Sequence, residues 1–226
     1  MTTVGAAGSS RASLITATAL VVIYLPYVVK RAFVVGTPGE VEWLIWDYSI
    51  RCVSLFAIFV YHRVGSIKGG NRPASMLKTI PIFIFALCCL FLLYIYVFPV
   101  LAKNLPYLRL FQSPIILNRE LLVFDLTIGM ALVAISEELA FRKVAFSLLR
   151  ERGFGDGSIV ILSSMAFALV HLTSGVASLL HALLAGLVLG TVYHVTGRLS
   201  VCVMLHFLDD FFIYGSRAAE AIDKAG

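Results

Sequence analysis

Apolar residues run through this chain in blocks of about twenty, the length that a helix needs to cross a bilayer, and short polar, Gly- or Pro-bearing stretches separate them. The blocks predict about seven spans, at residues 13–29, 43–61, 79–102, 120–149, 158–172, 177–195 and 199–214. Residues 1–12 and 215–226 read as polar tails. Gly36-Thr37-Pro38-Gly39 reads as a loop, as does Gly153–Gly157. The segment 62–78 carries Arg63, Lys68, Arg72 and Lys78 and is expected on the cytoplasmic side. Pro106 and Pro114 break the segment 105–119. The fourth block would extend roughly 43 Å as a helix, against a hydrocarbon core of ~30 Å, so it is expected to tilt or project. The sixth places Ala182, Gly186 and Gly190 at four-residue intervals, a small-residue stripe suited to close helix contact.

Composition agrees with that pattern. Of 226 residues 60% are hydrophobic and only 14% are charged, against about 25% charged in soluble domains. The fold class expected is all-α, a polytopic transmembrane helical bundle forming a single domain over 1–226. The net charge of +5 comes from basic residues scattered at block ends rather than gathered in a patch, so nucleic acid is not an expected partner. Cys52, Cys88, Cys89 and Cys202 lie in apolar blocks without metal-ligand spacing and read as small apolar residues. No small-x-small cleavage site follows the first block, which is expected to be retained. No internal repeat is evident, so an inverted-repeat transporter is not supported.

The fourth block contains Ser136-Glu137-Glu138-Leu139-Ala140-Phe141-Arg142. A charge at the bilayer centre costs about 2.5–3.5 kcal/mol on insertion scales, so these groups must be paired, hydrated or used. Glu138 and Arg142 are four apart and share a helix face, which predicts an ion pair. Glu137 is rotated roughly 100° away. It has no partner on its own helix and is the candidate chemical group. In the second block Asp47 and Arg51 are also four apart, which predicts mutual neutralisation, with a substrate or gating contact as the functional alternative.

Two later blocks carry histidine, in Phe167-Ala168-Leu169-Val170-His171 and in His206-Phe207-Leu208-Asp209-Asp210. His206 and Asp210 share a face. Side by side, the fourth, fifth and seventh blocks would bring Glu137, His171, His206 and Asp210 into one intramembrane polar cavity. A glutamate beside an imidazole can hold a water and take its proton, and the second histidine can stabilise a developing oxyanion. His181 and His194 read as interhelical hydrogen-bond partners or interfacial residues.

Glu137-Glu138-x-x-x-Arg142, Phe167-x-x-x-His171 and His206-x-x-x-Asp210 resemble the three motifs of the CPBP family, which includes the type II CAAX prenyl endopeptidases and many bacterial Abi-like membrane proteins. The resemblance covers about residues 120–214, the expected catalytic core. It implies a helical bundle around a cavity and glutamate-dependent hydrolysis of a membrane-embedded or lipid-modified peptide, without a cofactor or metal, in a multi-pass protein of the bacterial inner (plasma) membrane. By the same resemblance Glu137 activates water with His171, His206 and Asp210 support the oxyanion, and Glu138 and Arg142 are structural or orienting. The prenyl endopeptidases have asparagine where this chain has Asp210. An ionised aspartate accepts hydrogen bonds and cannot donate one to an oxyanion.

Two other readings stay open on the residues. Glu, His, His and Asp can also ligate zinc, although the chain has no His-Glu-x-x-His. The same buried charges could serve a membrane scaffold, an immunity partner or a proton-coupled carrier. A serine hydrolase is not supported, since no Gly-x-Ser-x-Gly turn is present.

Overall fold

The structure, a computed structural model, describes residues 39–64, 73–105 and 114–225. Among them all regular structure is helical. The helices are α1 (Glu40–Val64), α2 (Met76–Asn104), α3 (residues 119–151), α4 (Asp156–Leu169), α5 (Val176–Thr196) and α6 (Leu199–Ala225). α2 passes through a π-helical segment at Leu93–Val97, and α3 through two, at Asp125–Gly129 and Leu139–Ala145.

By length and composition α1, α2, α5 and α6 are fit to cross a membrane. The outer faces of α1, α2 and α6 present Phe56, Ile84, Phe85 and Met204, as expected where lipid rather than water is the solvent. α3 covers about 50 Å at 1.5 Å per residue, but Glu137, Glu138, Arg142 and Lys143 interrupt its apolar surface. The first predicted span, 13–29, lies outside the described residues.

Two boundaries differ from the sequence expectation. The fifth block was expected to be helical to residue 172, but α4 has 14 residues and stops at Leu169. The chain then turns through a 3-10 segment, Leu172–Ser174, and Gly175 at φ 107° reverses it into α5. Only glycine adopts that backbone readily, so Gly175 rather than the fall in hydropathy sets the boundary. The polar tail expected from 215 is instead helical to Ala225. Alanines favour the helix there, and Lys224 Nζ pairs with Glu220 Oε1 at 2.7 Å across one turn.

α1 and α3 are joined along a polar seam. The Glu40 carboxylate accepts from Leu117 N (3.0 Å) and Asn118 N (3.3 Å), and the Asn118 side chain caps α3 by accepting from Leu121 N. Further along, Tyr48 Oη donates to Asp125 Oδ1 at 2.6 Å. A core of Leu90, Phe146, Ile159, Leu189 and Leu205 joins α2, α3, α4, α5 and α6. A second core, with Ile58, Phe141, Val144, Phe167 and Ala182, lies among α1, α3, α4 and α5.

The small-residue stripe on α5 meets α4. A methyl group at Gly186 would stand 3.2 Å from Phe167 Cδ1 and 3.3 Å from Ser164 Cα. Substituting Gly186→Leu must therefore push α4 away from α5. The expected loss is about 1–3 kcal/mol, the usual cost of overpacking, read as a lowered unfolding temperature in detergent.

Candidate active site

Glu138 is the pivot of the site. Glu138 and Arg142 are both fully buried, with Arg142 Nε 3.1 Å from Glu138 Oε2. The other carboxylate oxygen, Oε1, lies 2.9 Å from His206 Nδ1. A carboxylate accepts and does not donate, so Nδ1–H is the donor and His206 is held in one tautomer and orientation. Arg142 also sits over the Phe167 ring, 5.1 Å from its centroid. Phe167 in turn touches the His171 ring at 4.9 Å and stands edge-on to the His206 ring at 5.6 Å. One aromatic side chain thus spaces two histidines and covers the buried cation.

With Nδ1 engaged, His206 Nε2 lies 3.5 Å from Asp210 Oδ2 and 3.8 Å from Glu137 Oε2. Glu137 Oε1 accepts from Arg51 Nη1 at 3.1 Å. Its Oε2 has no hydrogen-bond partner among the described residues. Arg51 Nε donates to Asp47 Oδ2 at 2.7 Å, and its Nη1 lies 3.4 Å from Ser136 Oγ. His171 rests its Nδ1 3.0 Å from Phe167 O.

Glu137, His171, His206 and Asp210 line one pocket of about 250 Å³, together with Asp47 and Arg51. The four residues named from the sequence are therefore brought together, and the predicted Glu138–Arg142 pair is formed. Asp47 and Arg51 form the pair that their spacing predicts, and Arg51 also reaches across to Glu137, 86 positions along the chain. The signal was present: Arg51 is a buried cation in a span, and a guanidinium has more donors than one carboxylate can take. His181, expected as an interhelical hydrogen-bond partner or an interfacial residue, lines the pocket, with its ring edge-on to Phe98. His194 lies elsewhere, with Nδ1 3.9 Å from Asp156 Oδ1. Among the described residues no group of three or more His, Cys, Asp or Glu side chains is arranged to hold a metal ion.

The π segment Leu139–Ala145 begins directly after Glu138. Such widened turns recur at functional sites. Here Ser163 Oγ of α4 donates to Phe141 O at 2.8 Å, tying α4 to α3 beside the charged pair.

Residues 119–212 match the family of type II CAAX prenyl endopeptidase Rce1-like proteins. The match takes in Glu137, Glu138, Arg142, His171, His206 and Asp210, and it covers less than half of the chain. No curated protein and no solved structure matches. The Rce1-like family is one of proteases, and the apolar helices of this chain agree with a membrane protein. α1, with Asp47 and Arg51, precedes the Rce1-like region.

Proposed function

We propose that the protein is an intramembrane endopeptidase in which Glu137 activates water against a peptide bond. The observation that carries the reading is the position of Glu137 Oε2. It is a carboxylate oxygen without a hydrogen-bond partner among the described residues, at the pocket wall, 3.8 Å from an imidazole nitrogen whose ring a second glutamate holds. A water between Oε2 and the substrate carbonyl gives its proton to Glu137 as it attacks. Glu137 then returns that proton to the leaving amine. His171 assists Glu137 at the water. His206, fixed by Glu138 and flanked by Asp210, presents Nε2 to the developing oxyanion. Glu138 and Arg142 are orienting and structural.

The substrate is a membrane-embedded or lipid-modified peptide, which can enter a pocket among apolar helices with its apolar part in the lipid. The catalytic core is residues 120–214 within a single membrane domain, and a polar pocket at the centre of the bundle is the reaction chamber.

Two probes test this reading with protein reconstituted in liposomes: a farnesylated fluorogenic peptide ending in a cysteine-aliphatic-aliphatic-any sequence, and a fluorogenic transmembrane peptide. Glu137-dependent cleavage of either is expected. Cleavage of neither, or cleavage that survives Glu137→Gln, overturns the reading. Treatment with a chelator is expected to leave the rate unchanged. Loss of activity with return on added zinc is the outcome that would favour a metalloprotease.

A further inference from the structure

The site has a charge problem. The substrate carbonyl oxygen becomes negative while Asp210, Glu137 and Glu138 crowd the one imidazole assigned to stabilise it. Asp210 as a carboxylate is an acceptor and would repel that oxygen. A cationic donor is needed, and the pocket wall holds one that the Rce1-like motifs do not contain.

We propose that Arg51 is a further catalytic residue, contributed by α1, whose guanidinium stabilises the oxyanion of the tetrahedral intermediate. The proposal rests on the endopeptidase reading. Arg51 is buried, lines the pocket, and has Nη1 3.1 Å from Glu137 Oε1. Oε1 and Oε2 belong to one carboxylate, so the water activated at Oε2 attacks within reach of the same guanidinium. Asp47, one turn back on α1, takes Nε at 2.7 Å and Nη2 at 3.4 Å and so fixes the plane of the fork. The planar, permanently charged group keeps its donors aimed through the reaction.

The electron and proton balance fits this arrangement. In the first step the water oxygen forms a bond to the carbonyl carbon. The water proton passes to Glu137 Oε2, and the C=O π pair moves onto the carbonyl oxygen. One negative charge leaves Glu137 and appears on the oxyanion. Beside the constant charge of Asp47, Arg51 faces one further negative charge before and after, and its Nη1 contact shifts from Glu137 to the oxyanion. In the second step the oxyanion pair re-forms the carbonyl, the C–N bond breaks, and the nitrogen takes the proton from Glu137. The negative charge then returns to Glu137 and to its pair with Arg51. Preorganised cationic donors of this kind act at the point where charge develops.

A purely structural role is the competing account, in which Arg51 only holds Glu137 in place. The two are separated by measuring more than loss of activity. With the two probes named above, Arg51→Gln is expected to lower kcat by about 10²–10³-fold, the range for removing one oxyanion donor, with KM changed less than about threefold. Arg51→Lys, a cation without the fork, is expected to restore part of the rate. The decisive arm uses a phosphinate analogue of the cleaved peptide, whose tetrahedral oxyanion mimics the intermediate. In a Glu137→Ala background Arg51 has no side-chain oxygen at that position to hold, yet adding Arg51→Gln should still weaken analogue binding by at least about tenfold.

Unchanged analogue affinity in that background, or a wild-type kcat for Arg51→Gln, overturns the proposal while Glu137-dependent cleavage leaves the endopeptidase reading standing. Wild-type protein that cleaves neither probe overturns both. Should Arg51→Gln alone fail to fold, Asp47→Asn/Arg51→Gln removes a carboxylate together with the cation and is read by the same criteria.

Discussion

Replacing Glu137 by glutamine should abolish cleavage while leaving the protein folded. Glutamine has the same shape, and its carbonyl oxygen can still accept from Arg51. What it lacks is the basic oxygen facing His206 Nε2 across 3.8 Å. General-base catalysis contributes about 10²–10⁴-fold, so kcat/KM for the farnesylated or transmembrane probe should fall by at least that much. Expression level and unfolding temperature should stay near wild type, because Arg51 keeps its pair with Asp47. A variant that cleaves at the wild-type rate would remove Glu137 from the mechanism.

The second large effect is on stability. Arg142→Leu takes from the buried Glu138 its guanidinium partner at 3.1 Å and leaves only the His206 ring beside the carboxylate. Breaking a buried pair from one side costs about 3–5 kcal/mol. Unfolding in mixed micelles of increasing denaturing detergent should show a loss of that size. Removing both members, Glu138→Met/Arg142→Leu, should recover much of the stability, because no uncompensated charge is left. Activity should not return with it, since His206 Nδ1 has lost the oxygen that orients it. Recovery of stability and activity together would show that Glu138 does not position His206.

The helices were largely legible because hydropathy marks membrane-crossing segments strongly. What escaped were features that apolarity does not encode. Val170 and Leu172 continue the hydrophobic run after α4 has ended, so only the backbone of Gly175 marks the turn. The π segments in α2 and α3 leave no trace in a hydropathy pattern, since a widened turn accepts the same residue types. At α6 the pattern misled in the other direction, for a polar segment past the lipid can stay helical through its own side-chain pairs.

The candidate site divides in the same way. Glu138–Arg142 and His206–Asp210 are local pairs that follow from four-residue spacing. Glu137 was singled out because nothing on its own helix could balance it. Its partner Arg51 stayed hidden because Asp47 seemed to account for it, and a contact between residues 86 apart leaves no periodic signal. The α1–α3 seam makes that contact, and its members, Glu40, Tyr48 and Asp125, look unremarkable in sequence.

The brevity of α4 ties the molecule to its lipid. Fourteen residues give about 21 Å of helix, and its outer stripe of Ile161, Met165 and Leu169 is exposed. Where that stripe meets a hydrocarbon layer of ~30 Å, the layer must thin to match the helix, at fractions of a kcal/mol per ångström of mismatch. Acyl-chain length thereby becomes a physical setting of the protein: short-chain lipids relax this flank, and thick, ordered bilayers compress it.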